Sequence, residues 1–220
     1  MKIGVNLVGV SYNEKGRYRN YEDAIDSFYK YIVWPLEEEG HNIFFYLYTY
    51  QNQKSQKIVE DYIPCVKAQF INKEFNSMGG GDNLHGYKVM SVSYIKSLEA
   101  LKDEELDLVI STRFDIKFFK NPFTTYSYDF GKFNFLWREP EYKELPLVND
   151  TFVVFPYSML DTVIQSIHTM ETKPSKGVNI AMHNWYLPLI DKLGIDKVQW
   201  VDDDFKTAIS NDLYQLTRIE

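Results

Sequence analysis

The chain has a single cysteine, Cys65, among 220 residues, which excludes an intramolecular disulfide framework and any multi-cysteine zinc site. That scarcity favours a reducing compartment, so the expectation is a cytoplasmic protein. Long apolar runs are also missing, and nothing approaches the roughly 20 residues that a membrane helix needs. The apolar N-terminus, Met1-Lys-Ile-Gly-Val-Asn-Leu-Val-Gly-Val10, is interrupted by Asn6 and two glycines. It has no small-residue cleavage site, and it reads as a strand rather than a signal peptide. Nor is there a surplus of basic residues. With 24 Lys and Arg against 31 Asp and Glu the net charge is −7, which argues against a general nucleic-acid surface, whereas a small anionic ligand needs only a few local cations. No internal repeat, low-complexity tract or linker breaks the sequence, so one domain over residues 1–220 is the simplest organisation.

Aromatics are what the sequence has in quantity: 17 Tyr, 15 Phe and 4 Trp. That content suits a site that stacks rings or sugars, although most of these side chains are expected in the core or on half-exposed strands. Ile3 to Val10 has the continuous apolar character of a strand buried on both faces. After the polar loop Ser11 to Arg19, Asn20 is placed to cap a helix with Tyr21, Ile25, Phe28, Tyr29, Ile32 and Leu36 at helical spacing, and Pro35 is expected to kink or end it. Asn42 to Thr49 reads as a second strand, Ser55 to Tyr62 as a short helix and Ala68 to Ile71 as a third strand. Asp82, after three glycines, can cap a helix buried through Leu84, Tyr87, Ser91, Tyr94, Ile95, Leu98 and Leu101, and Leu106 to Thr112 is the fourth strand. This β-α-β-α-β-α-β order predicts an α/β fold with a mostly parallel sheet and a ligand crevice at the strand C-termini. Lys132 to Trp137 and Thr151 to Phe155 follow as strands with no long helix between them, so the second part is smaller and mixed or antiparallel. Helices are expected at Ser158 to Met170 and at Asn179 to Leu193, with Gly194 after the latter, and Val198 to Val201 as a last strand.

Arg113-Phe114-Asp115 stands where the fourth strand runs out, at the sheet edge where open α/β folds bind ligands. A hard divalent cation such as Mg²⁺ or Mn²⁺ is held by one or two carboxylates together with diphosphate oxygens, so Asp115 could supply the essential protein ligand. A structural ion pair of Asp115 with Arg113 or Lys117 accounts for the same residues.

With these elements in place, the chain resembles a small glycosyltransferase of the GT-A type. Such enzymes bind a nucleotide sugar on a Rossmann-like half and close the acceptor site with a mixed-sheet half, here residues 1–120 and 121–220. Their Asp-x-Asp motif lies at the end of the fourth strand, where this chain has Arg113-Phe114-Asp115. Asp115 matches the second, metal-binding carboxylate; Arg113 replaces the first and could contact phosphate directly. The resemblance implies a hexosyltransferase-like enzyme that uses Mn²⁺ or Mg²⁺ and moves a sugar from a UDP- or GDP-sugar to a saccharide or glycoprotein glycan. It places the base and ribose at the loop containing Val8 and Gly9, and offers Arg17, Arg19 and Lys88 as further nucleotide-sugar contacts. Asp150, then Glu139, are the carboxylates to deprotonate the acceptor, and His183 is a candidate to complete the metal shell. Trp137 could stack on an acceptor sugar, and Asp202-Asp-Asp204 could cap a helix or close the site. Two alternatives remain: a noncatalytic carbohydrate-binding or scaffold domain, in which the aromatics act and Asp115 is structural, and a sugar-phosphate nucleotidyltransferase. The first loop lacks the Gly-rich, Lys- or Arg-terminated sequence expected of the latter.

Overall fold

A computed structural model describes residues 1–13, 19–72, 83–138, 151–172, 186–202, 204, 206 and 211–217, with the backbone alone at 83–90, 170–172 and 186. The apolar N-terminal run forms β1 (Lys2–Gly9), and its alternation decides which side chains go to which face of the sheet. Ile3, Val5 and Leu7 belong to one buried cluster, and Val8 belongs to another on the opposite face. Two very short strands follow, β2 (Tyr12–Asn13) and β3 (Arg19–Asn20), which pair antiparallel.

The long helix expected after Asn20 is divided into α1 (Glu22–Phe28), a π-helical turn (Tyr29–Val33) and α2 (Trp34–Glu38). Pro35 explains the division, because it has no N–H and its ring crowds the preceding turn; the widened turn, with Trp34 N–H bonding the Tyr29 carbonyl, lets the helix continue through it. Asn20 accepts the Glu22 N–H at 3.3 Å, at the start of α1. The chain then forms β4 (Asn42–Tyr50), α3 (Ser55–Asp61) and β5 (Cys65–Ile71), the last longer than its sequence pattern indicated. Next come α4 (Asn83–Glu99) and β6 (Leu108–Arg113); the expected Asp82 cap lies outside the described residues.

Beyond β6 lie β7 (Ile116–Phe118), α5 (Pro122–Thr125), β8 (Phe133–Phe135), β9 (Phe152–Pro156), α6 (Leu160–Thr172), α7 (Tyr186–Leu193), β10 (Val198–Trp200) and β11 (Tyr214–Leu216). The start expected for α7, at Asn179, lies outside the described residues. Its end is where the sequence placed it, with the Gly194 N–H bonding the Ile190 carbonyl at 2.8 Å.

Among the described residues the central sheet has seven strands in the order β10-β8-β9-β6-β1-β4-β5. β6, β1, β4 and β5 are parallel, β9 runs antiparallel between β6 and β8, and β10 is parallel to β8. The fold is therefore mixed α/β, with a mostly parallel sheet that changes character at β9. Phe28 and Ile58, from α1 and α3, pack on the face of Ile3, Val5 and Leu7, whereas Leu98, Ile164 and Leu189, from α4, α6 and α7, pack on the other. Each such side chain is worth about 1.5–3 kcal/mol when fully buried. Among the buried polar residues is Asn6, fully buried in β1, whose amide donates 3.0 Å hydrogen bonds to Ser97 of α4 and Ser111 of β6, tying helix to sheet.

No helix among the described residues is long and apolar enough to cross a membrane.

Candidate functional site

Strand directions gather the chemistry-bearing residues at one edge of the sheet. β1, β4 and β6 end there at Gly9, Tyr50 and Arg113, with Val8 and Arg113 in register. The antiparallel β9 begins at the same edge, where Thr112 Oγ1 donates to the Thr151 carbonyl at 2.9 Å. β8 and β10 run out there too and continue as a paired ribbon, the Asp202 N–H bonding the Leu136 carbonyl.

At the centre lies Asp115, only 1% exposed. Arg113 Nε donates to its Oδ1 and Nη2 to its Oδ2, both at 2.8 Å, a fork-on-fork contact that fixes the guanidinium plane. Arg19 Nε is 3.7 Å from the same Oδ2, an ion-pair distance beyond hydrogen-bond reach. Arg19 arrives from β3 and lies near Tyr50: burial raises the Tyr50 phenol pKa, while a hydrogen bond with Ser93 and the Arg19 charge oppose the rise. The backbone at Asp115 is held by β11, through the Thr217 N–H on the Asp115 carbonyl at 2.8 Å. Phe114, between the two charged residues, points into the core and meets Tyr62 edge-on.

Beside this triad, Gly9 has φ +111°, in the region that favours glycine, and among the described residues beyond its two chain neighbours nothing lies within 4 Å of where a Cβ would stand. The adjoining loop is set by side chains that sequence reading did not single out. The Ser11 N–H bonds Thr49 Oγ1 at 3.1 Å, Thr49 Oγ1 donates to Ser11 Oγ at 2.8 Å, and Asn52 Nδ2 donates to Ser11 Oγ at 3.2 Å. Lys54 pairs with Glu22 and stands 4.4 Å over the Tyr12 ring. The one signal for this cluster was Thr49, a polar residue at the end of an aromatic strand.

Of the expected site residues, Val8, Gly9, Arg19, Arg113 and Asp115 are brought together at this edge. Arg17, Glu139, Asp150, His183 and the side chain of Lys88 lie outside the described residues. Trp137 is fully buried and stacks on Tyr214 at 5.5 Å, so it is a core residue rather than a sugar platform. Near it, Asp202 is part of an ion-pair cluster: Lys206 Nζ lies 2.7 Å from Asp202, 3.3 Å from Asp212 and 3.1 Å from the Tyr126 hydroxyl. Burial pulls the Asp202 carboxyl up, but hydrogen bonds from Lys206 and the Asp204 amide outweigh it and hold the group below the usual carboxylate range.

Of the two residues expected to hold Mn²⁺ or Mg²⁺, His183 lies outside the described residues, so the described part of the site offers Asp115 alone. Both carboxylate oxygens face guanidinium groups, and among the described residues no group of three His, Cys, Asp or Glu side chains is arranged to hold a metal.

No family model and no curated protein matches the chain. Among solved structures it is similar to Drosophila β-1,4-galactosyltransferase 7 in complex with manganese, UDP-Gal and xylobiose, at 11% identity over 98% of this chain and 70% of that one, with a TM-score of 0.47. It is also similar to a glycosyltransferase involved in glycosylation of the major capsid of PBCV-1, at 10% identity over 91% of this chain and 82% of that one, with a TM-score of 0.40. At that identity and overlap neither likeness transfers an activity to this chain.

Proposed function

We propose that this protein is a glycosyltransferase of the GT-A type that moves a sugar from a nucleotide-diphosphate sugar to a saccharide acceptor. The observation that carries the reading is the meeting of the Gly9 end of β1 with the Arg113-Phe114-Asp115 end of β6, at the edge where the parallel half of the sheet gives way to the mixed half. Open α/β sheets bind ligands at such an edge. A glycine with no close neighbour among the described residues beyond its adjoining chain lets a ligand approach the backbone, and two arginines provide cationic forks suited to phosphate.

In this reading β1 to β6 hold the donor, with base and ribose near Val8, Gly9 and Ser11, and the diphosphate at Arg113 and Arg19. The anomeric C–O bond to the diphosphate breaks with its electron pair leaving on the phosphate oxygen, the acceptor hydroxyl oxygen bonds to the anomeric carbon, and its proton passes to a carboxylate. Asp150 and Glu139 are the proposed proton acceptors, being the immediate chain neighbours of Thr151 and Arg138. The rest of 121–220 forms the acceptor half. The guanidiniums supply electrostatic stabilisation of the negative charge that grows on the leaving diphosphate.

The test is thermal unfolding with UDP, GDP and their hexose conjugates. A ligand at a hundred times its Kd stabilises by about 2.7 kcal/mol, or roughly 5–11 °C in a chain of this size. A rise of that size with one nucleotide and its sugar is the expected result, and no shift with any donor nucleotide contradicts the proposal.

A further inference from the structure

We infer that Tyr214 is a positioning residue of the transfer site: it holds the strand ends that lead to the acceptor-side carboxylates in step with the Asp115 turn. This rests on the glycosyl-transfer reading above and specifies what fixes the acceptor half of that site.

Tyr214 opens β11, a strand of three residues that pairs antiparallel with β7, opposite Phe118. So short a strand has few ladder hydrogen bonds, and its side chains decide where it lies. Tyr214 is fully buried. Its ring stacks on Trp137 at 5.5 Å and meets Phe118 edge-on at 5.9 Å, contacts that fix both the plane and the tilt of the ring. Phe152 extends this aromatic cluster, edge-on to Phe118 at 5.6 Å.

Within the cluster the Tyr214 hydroxyl is hydrogen-bonded to Thr151 Oγ1, and both residues are buried. A buried hydrogen bond adds only about 0.5–1.5 kcal/mol net, so cohesion alone does not call for a hydroxyl pair among rings. What such a pair adds is a fixed position, because a satisfied buried polar contact specifies one arrangement of the groups around it. Thr151 is held from two sides: its carbonyl accepts from Thr112 Oγ1 of β6 at 2.9 Å, and its hydroxyl is bonded to β11.

Chain order links this brace to the site. Thr151 directly follows Asp150, and Trp137 is two residues before Glu139. Thr217, three residues after Tyr214, bonds the Asp115 carbonyl through its N–H at 2.8 Å. Adjacent Cα atoms are about 3.8 Å apart, so fixing Thr151 and Trp137 fixes the points from which the chain runs to both carboxylates. One short strand thereby ties together the donor-side turn and the two acceptor-side strand ends. A misplacement of about 1 Å costs about a hundredfold in rate, which gives Tyr214 leverage on turnover through the groups it holds.

The experiment measures nucleoside diphosphate release from UDP-, GDP-, dTDP-, CDP- and ADP-hexoses with oligosaccharide acceptors. It compares kcat and donor KM for wild type, Tyr214→Phe, Thr151→Val, Thr151→Ser and the double variant Tyr214→Phe/Thr151→Val. Tyr214→Phe and Thr151→Val are each expected to lower kcat about tenfold or more, with donor KM within about twofold of wild type and near-UV circular dichroism unchanged. Thr151→Ser keeps the hydroxyl and is expected to stay within about threefold of wild type, a rescue that a purely structural role of Thr151 would not give. The double variant is expected to lose no more than the worse single variant, because its second change removes half of a pair already broken. If Tyr214→Phe does not fold, the contrast between Thr151→Val and Thr151→Ser carries the test. Single variants with wild-type kcat, or losses confined to donor KM, overturn the inference and leave the donor reading standing. Losses that multiply in the double variant overturn the pairing of the two hydroxyls. A wild type that turns over none of the donors overturns both the inference and the transfer reading on which it rests.

Discussion

Replacing Asp115 with Asn removes one negative charge from a buried site while leaving the side chain's shape almost unchanged. The Asn oxygen can still accept one Arg113 N–H, but its amide NH₂ then faces the other N–H, donor against donor, where two 2.8 Å bonds now stand. Arg19, 3.7 Å from Oδ2, loses the charge of that carboxylate as well. Breaking a buried ion pair by removing one partner costs about 3–5 kcal/mol. The Arg113 and Arg19 side chains keep 17% and 14% exposure and so some hydration, which puts the expectation at the low end, about 3 kcal/mol. For a chain of this size that lowers the melting temperature by roughly 6–12 °C. Urea unfolding followed by circular dichroism measures it, and the double variant Asp115→Asn/Arg113→Met shows whether the cost belongs to the pair. Its destabilisation is expected to fall short of the sum of the single losses by about 1–3 kcal/mol. A loss below about 1 kcal/mol in the single variant, with coupling under about 0.5 kcal/mol, would refute the view that the triad is a tightly held buried unit.

The Lys206 cluster has a definite pH signature. Burial works against the charged forms, but hydrogen bonds and neighbouring charge hold Asp202 and Asp212 below their ordinary values and push Lys206 above its own. The carboxylates' contribution is therefore present above about pH 4 and is lost as pH falls through their lowered folded values. The lysine's contribution is present below about pH 10.4 and is lost as pH rises through its raised one. Lys206→Met should destabilise by about 1–2 kcal/mol between roughly pH 5 and 9 and converge on wild type only as pH falls through the carboxylates' lowered folded values, with most of the effect through Asp202, because Asp212 is 55% exposed; a difference that persists once both carboxylates are protonated contradicts the ion-pair origin. Gly9→Ala should cost about 1–3 kcal/mol through backbone strain at φ +111° although the space is open. Gly4→Ala places its Cβ 2.5 Å from the end of the partly buried Leu106 side chain, which can turn aside, and should stay within about 1 kcal/mol in the same unfolding measurement. The reverse order would mean that close approach, not backbone conformation, fixes both glycines.

Much of this was legible from local patterns. The continuous apolar run at Ile3 to Val10 marked the central strand, the turn to short strands without a long helix between them marked a mixed or antiparallel second part, and the apolar run before Arg113-Phe114-Asp115 put that tripeptide at a strand end. The approach of Arg19 to Asp115 could not. It depends on β2 and β3, two residues each, too short to leave any period in the sequence, and on a pairing that only the tertiary fold brings about. The alternative of an ion pair at Asp115 was visible, but Lys117 was as good a partner as Arg113 on spacing, and Lys117 turns out exposed on β7. Trp137 is buried because it stacks on Tyr214, far along the chain, a contact no local pattern encodes. The division of the first helix was half legible: Pro35 announced a disturbance, and the π-helical turn is how the backbone accommodated it.

The most direct test of the central claim is release of nucleoside diphosphate from a panel of UDP-, GDP-, dTDP-, CDP- and ADP-hexoses, with and without oligosaccharide acceptors, by wild type and Arg113→Ala. The account predicts that one donor is turned over, faster with an acceptor saccharide, and that removing the Arg113 fork lowers the rate by at least about a hundredfold. Release no greater than that of Arg113→Ala for every donor would contradict it.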